Sequence, residues 1–596
     1  MSQSPLNAIT VHTREDVARH NRSADLWVII DKEVYDLTNF QAEHPGGDRI
    51  LRRLAGQDAS KEFHENHRES LFNEGLRLAE RRVPFNVDAL STAICKAANK
   101  PANDLTSITK IAEGGFNRIL QATFRDGYEV ISRIPYNSTV PKHYAVASEA
   151  ATLGLLRANG LPVPKVLGYS PDRTNAVGTE YLLLEKLQGS PLSDQWFTMD
   201  NKARVKIMKQ IVDLERRFMT IEFPASGSLY YRRDLNAQAV TPVNTTDEAP
   251  GPDDLVVGPI ALQAWWYGER ALLDTDRGPW KDFTLCFGAP AKREIEFCNR
   301  YGKPRFHYER YLRQIYSFEK QLPEHHVNLL FGYLKLSPYL TPPPDHPFSR
   351  PTLRHPDLSP NNILVNDSHE ITGLIDWQHA AILPLCLCAG IPTHFQNWGD
   401  PASATLGKPE VELPDNFDQL DEREQACVRE TIRKRLVHFF YAALTMRQVP
   451  DHFDVLTDEN ATLRIKLFNC AGAPWEGNSL GLQYALVQAH KNWPMGDATG
   501  SAASTECPVQ FSEEEIQNVT DYGAQEDDLM QDLSQMRDVI GIDTQGWVAD
   551  DEQLQVSVSV ARQIRDGMLE HCESEIERTA IVEHFPFEDH DEEGLN

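Results

Sequence analysis

His355-Pro356-Asp357-Leu358-Ser359-Pro360-Asn361-Asn362 runs into a short apolar strand, Ile363–Val365, and Gly373-Leu374-Ile375 then leads to Asp376-Trp377. The spacing sets one Asp, an Asn five residues on, and a second Asp behind the next strand. Transfer of a γ-phosphoryl group asks mainly for positioning, metal charge and an acceptor for a hydroxyl proton. Asp357 suits the acceptor of that proton, and Asn362 and Asp376 offer hard oxygens to magnesium. The four residues between Asp357 and Asn362 form a loop that brings both to one centre.

Working upstream, Ile108–Glu113, Ile119–Phe124 and Tyr128–Ile134 read as strands, the last two joined at Arg125-Asp126-Gly127, a hairpin turn signal. Glu113-Gly114-Gly115-Phe116-Asn117 separates the first two; glycines there let backbone N–H groups approach phosphates, and a plain turn is the blander alternative. A helix is expected over Ala145–Arg157, and a strand at Tyr181–Glu185. Beyond Gln188 the pattern is mostly helical.

These pieces together resemble the aminoglycoside phosphotransferase / choline kinase-like superfamily, from about residue 105 to 575. They resemble in particular its fungal branch of the "altered inheritance of mitochondria protein 9" type. The matching segments include IAEGGFNRIL, PKHYAVASEAATLGLLR, LPVPKVLGYS, RHPDLSPNNILVN, GLIDWQHAAILPL and CPVQFSEEEI. The resemblance implies a bilobal fold that uses ATP and Mg2+, with Asp357 as catalytic base and Asn362 and Asp376 as metal ligands. It places Gly114, Gly115, Arg133 and Glu149 at the nucleotide phosphates, with Glu149, in the helix 16 residues on, placed to pair with Arg133. Arg133 stands where active relatives carry a lysine; Arg grips phosphate bidentately but is not interchangeable with Lys. Lys142 is an alternative cation. Trp265-Trp266-Tyr267 reads as core packing or as an acceptor pocket.

Toward the N-terminus, Leu26–Leu37 reads as a hairpin and is followed by His44-Pro45-Gly46-Gly47, Gly56-Gln57-Asp58-Ala59-Ser60, Phe63 and His67. The Pro-Gly-Gly turn holds one imidazole rigidly, and a second, 23 positions on, can face it across a cleft. Two neutral imidazoles saturate an iron's axial positions, which leaves one-electron transfer rather than oxygen activation. Residues 8–82 resemble a cytochrome b5-type haem-binding domain, which implies haem b with His44 and His67 as axial iron ligands. His64 is nearby but in the wrong register. No flavin or nicotinamide motif follows, so an external reductase is the expected partner.

Length and composition bound the rest. At 596 residues the chain is long enough for several domains. We expect an α+β organisation: a haem module over 1–85, a linker over 86–103, a kinase-like N-lobe over 104–189 and a C-lobe over 190–500, then an acidic helical extension over 501–596. Residues 511–596 hold 24 Asp/Glu against four Arg and no Lys, and so carry 20 of the 28 net negative charges. Such a surface repels phosphate backbones, and nucleic acid is not an expected partner. Nine scattered cysteines without a C-x-x-C pair argue for a reducing compartment. No apolar run reaches the roughly 20 residues of a spanning helix, and no signal core or presequence is recognisable. A soluble cytoplasmic or mitochondrion-associated protein is expected. Two functions compete: a small-molecule phosphotransferase with a redox or sensing appendage, and a non-catalytic kinase-like module that tethers an electron carrier.

Overall fold

The computed structural model describes residues 13–22, 25–30, 33–38, 55–57, 79–236, 239–243, 251–493, 506–543, 546–548 and 551–589. His44, His64 and His67 lie outside the described residues, and so does most of the segment from His44 to Leu78.

The N-terminal part opens with α1 (Arg14–Val17), capped by Thr13 and Asp16 in a reciprocal box. The antiparallel strands β1 (Asn21–Arg22), β2 (Asp25–Ile30) and β3 (Glu33–Asp36) follow. The expected hairpin is present, with Ile29 opposite Val34.

Residues 86–103 are not the linker expected from their small and polar composition. They contain α2 (Val87–Ala98), started by Asn86, whose side-chain oxygen accepts from Ala89 N at 3.0 Å, and ended by Asn99 in the left-handed region. Leu90 and Ile94, one turn apart, are fully buried among Phe124, Val130, Ile134 and Tyr136. The apolar stripe is only two or three residues wide, and the β-sheet it covers supplies the rest of its core.

That sheet consists of β4 (Leu105–Glu113), β5 (Asn117–Phe124) and β6 (Glu129–Pro135), then β7 (Val166–Ser170) and β8 (Tyr181–Glu185) after the helix α3 (Tyr144–Ala158). Its order is β4-β5-β6-β8-β7. Gly127, at φ 81°, makes the β5–β6 turn that its Asp-Gly pair signals. Arg133 lies on β6 between Ile119 of β5 and Leu182 of β8, a central position in the sheet.

Past β8 the chain forms a larger, mainly helical lobe. A hairpin after the Asp357 loop pairs β10 (Ile363–Val365) with β11 (Ile371–Leu374), and β9 (Ser190–Pro191) flanks β10. Gly189, at φ 116°, passes so close to Val365 O and Thr372 Oγ1 that a Cβ there would clash. Around the hairpin pack α4 (Asn201–Met219), α5 (Phe283–Tyr301), α6 (Pro323–Leu340) and α7 (Glu422–Gln448). The acidic end is helical as expected: α8 (Glu513–Ile540), α9 (Asp551–His571) and α10 (Glu575–His584). They share a small core with Leu533, Ile540, Phe585 and Phe587. Arg537–Glu309 at 3.3 Å and Arg313–His584 at 3.0 Å tie them to the 309–316 segment. Among the described residues no helix is long and apolar enough to cross a membrane.

Candidate active site

The loop before β10 is fixed from behind. Arg354 donates through Nη1 to Cys388 O at 2.6 Å and holds Glu215 of α4 with Nε and Nη2. Its Nη2 also reaches Tyr441 of α7 at 3.1 Å. The pairing with Glu215 outweighs burial and raises the guanidinium pKa, so Arg354 stays charged. His355, next along, accepts from Asp357 N through Nδ1 at 3.1 Å and donates through Nε2 to Ile375 O at 2.9 Å. The ring thus joins the Asp357 loop to the residue before Asp376. Trp377, fully buried, packs its ring on His355 at 4.5 Å and on Phe218 at 5.7 Å.

Burial pushes the His355 pKa down to about 4, against the hydrogen bond to Ile375 and the nearby Asp376 and Asp357 charges. The unfolded chain, with a histidine near the ordinary value, takes up the proton first as pH falls. Stability is therefore expected to drop between about pH 6.5 and pH 4, by up to about 1.4 kcal/mol per unit. The urea midpoint against pH should fall less steeply in His355→Gln, whose amide keeps a donor toward Ile375 but takes up no proton.

Asp357 presents its carboxylate outward, with a side chain 62% exposed. Asn362 Nδ2 donates to Asp357 O at 2.9 Å and to Asp357 Oδ2 at 3.0 Å, which holds the carboxylate in one orientation. Ile375 N donates to Asn362 O at 3.0 Å, so the expected metal pair, Asn362 just before β10 and Asp376 just after β11, is brought together at one end of the hairpin. Asp376 takes a left-handed backbone, φ 64°. For a non-glycine residue such a conformation is sparsely populated and collects at functional sites. Both side chains offer neutral or anionic oxygen, which fits a hard divalent cation.

Arg133 and Glu149 meet as expected, through Nη1 and Oε1. The same guanidinium also donates through Nη2 to Asp376 Oδ1 and to Gln378 Oε1, each at 2.9 Å. Its Nε has no partner among the described residues. Burial raises the Glu149 pKa to about 7, opposed by Arg133 and assisted by Asp376. Burial also works against the charged form of Asp376, but the Arg133 charge and hydrogen bond win, and its pKa is lowered. Gly114 and Gly115 form the β4–β5 turn; a Cβ at either would meet nothing within 4 Å. Packing does not demand glycine there, and the open space suits close approach of a phosphate to backbone N–H groups.

Lys142 donates to Tyr136 O at 2.8 Å, and burial lowers its pKa to about 8. Trp265 is core, between Arg293 and Trp280; Trp266 donates to Ile260 O, and only Tyr267 is exposed. Three site residues escaped the sequence reading. His394 Nδ1 stands 4.0 Å from Asp357 Oδ1, brought in by a loop with no local signature. Gln378 and Asn117 bond to one another at 2.5 Å. A polar Gln378 inside the apolar run after Asp376 was the one available signal.

The model of the phosphotransferase enzyme family matches residues 107–386, and that of the cytochrome b5-like heme/steroid binding domain matches residues 13–91. A "subtelomeric hrmA-associated cluster protein" of Aspergillus fumigatus is 32% identical over 523 residues, which cover 82% of this chain and 98% of that one. The chain belongs to this fungal branch of the phosphotransferase enzyme family. An "altered inheritance of mitochondria protein 9, mitochondrial" of Candida glabrata is 24% identical, over 76% of this chain and 74% of its own. The crystal structure of aminoglycoside phosphotransferase APH(4)-Ia aligns at 13% identity over 65% of this chain and 100% of that one, with a TM-score of 0.29. The chain thus carries a phosphotransferase-family domain with a cytochrome b5-like domain before it and a helical region after it.

Proposed function

We propose that the phosphotransferase-family domain transfers the γ-phosphoryl group of ATP to a hydroxyl of a small molecule. The observation that carries this reading is the Asp357 carboxylate, exposed and oriented by Asn362 beside Asp376. Asp357 accepts the hydroxyl proton, Asn362 and Asp376 hold magnesium, and Gly114 and Gly115 face the phosphates, with Arg133 and Glu149 behind them. Magnesium supplies charge neutralisation between the phosphoryl oxygens when bound. The rival reading, a non-catalytic module that tethers an electron carrier, is favoured by the occupation of Asp376 by Arg133. Titration calorimetry separates the two: Mg2+-dependent ATP binding supports the enzyme, and its absence sinks it.

For the cytochrome b5-like domain we propose haem b held by His44 and His67, serving electron transfer or sensing with an external reductase. Mitochondrial association is part of this proposal, supported by the name of the Candida glabrata relative. The purified protein is expected to show a six-coordinate low-spin spectrum, and His67→Ala to lose it. Undiminished low-spin haem in that variant would transfer the ligand role elsewhere.

A further inference from the structure

Gln378 Oε1 is shared. It accepts from Arg133 Nη2 at 2.9 Å and from Asn117 Nδ2 at 2.5 Å, and both donors are buried. Asn117 is the first residue of β5, directly after the glycine turn. One residue either side, the Phe116 ring meets the His379 ring edge-on at 5.3 Å. The glycine loop and the segment after Asp376 thus touch at two points, and Arg133 makes a third link between the lobes.

We propose that Arg133 is the resting site's internal cation, held over the Asp376 carboxylate in place of a divalent metal, and that Gln378 is the positioning residue that keeps the guanidinium when Asp376 is released. The proposal rests on the phosphotransfer reading and deepens it. A planar fork addresses Glu149 with one nitrogen and Asp376 with the other at the same time; a single lysine ammonium has no such reach. A guanidinium 2.9 Å from Asp376 Oδ1 repels a cation arriving at that carboxylate. Divalent metal alone therefore binds poorly, and the phosphates of a nucleotide, by drawing Arg133 away, open the place for it. Without Gln378, withdrawal from Asp376 would leave Nη2 buried and lacking an acceptor, next to an Nε that has none among the described residues. Gln378 removes that penalty, because a neutral amide oxygen stays bonded to Nη2 while the carboxylate turns to metal.

The test uses the full chain and Mn2+, whose free electron paramagnetic resonance signal disappears on binding. Without ATP, the wild type is expected to leave the signal nearly intact. Arg133→Met/Glu149→Gln, which removes both buried charges, is expected to take up Mn2+ about tenfold more tightly. If the double variant loses its far-UV circular dichroism, Arg133→Lys replaces it, with a rise in the same direction. Gln378→Ala is expected to weaken Mn2+–ATP uptake about tenfold, with affinity for metal-free ATP unchanged. It should also speed amide hydrogen exchange over residues 114–117. Wild type that binds Mn2+ alone as tightly as the charge variant overturns the role of Arg133. Unchanged Mn2+–ATP affinity and unchanged exchange in Gln378→Ala overturn that of Gln378. A wild type that binds no nucleotide at all defeats the phosphotransfer reading instead, and the manganese-alone and exchange arms still decide this one.

Discussion

Replacing Asp357 by Asn is expected to cut phosphoryl transfer by about 10²–10⁴-fold, with ATP–Mg2+ affinity close to wild type. The amide keeps the shape of the carboxylate and one oxygen to accept from Asn362, which now bonds Oδ2 at 3.0 Å. What it loses is the capacity to take a proton from the acceptor hydroxyl. The metal side is left alone, since Asp376 lies past the end of β11 and is held by Arg133. Single-turnover rates beside calorimetric affinities measure the split. A wild-type rate in Asp357→Asn would remove the base from the mechanism and turn attention to His394, 4.0 Å away.

The largest stability loss is expected at Glu294, far from the chemistry. This carboxylate on α5 is fully buried and accepts from Arg270 Nε at 2.7 Å, Arg270 Nη2 at 2.6 Å, Arg293 Nε at 2.8 Å and Trp475 N at 3.1 Å. Arg270 is stacked over Phe297 at 3.6 Å, and Arg293 also donates to Gly472 O at 2.5 Å, so neither guanidinium has a way out to water. Glu294→Leu would strand two buried cations. Breaking a buried pair from one side costs about 3–5 kcal/mol, against a total of only about 5–15 kcal/mol for a typical domain. The urea midpoint should fall accordingly, or the chain should fail to accumulate as folded protein. Glu294→Gln, which keeps one acceptor oxygen, should fall less. An unchanged midpoint in Glu294→Leu would mean that the two arginines find solvent.

Buried clusters of this kind had no sequence signal. Arg270 and Glu294 are 24 residues apart, and nothing in either neighbourhood announces the other. The segment 86–103 misled for a related reason. Its helix is written mostly in alanine and polar residues, and Leu90 and Ile94 acquire a core only from the sheet beside them.

The candidate hairpin, by contrast, was legible as a local unit, because Asp357, Asn362 and Asp376 lie within twenty residues and their relation is set by one loop and two short strands. The three sheet strands and α3 were legible through alternation and helical period, and the Asp-Gly turn through the left-handed backbone that Gly127 adopts. The sequence by itself determined these local units, since a backbone preference or a spacing of a few residues fixes each of them. Only the tertiary structure decided that Arg133 also takes Asp376. Its side chain meets Glu149 sixteen residues on and Asp376 243 residues on. Which partner a charge takes when buried depends on whatever else the fold delivers to the same low-dielectric space.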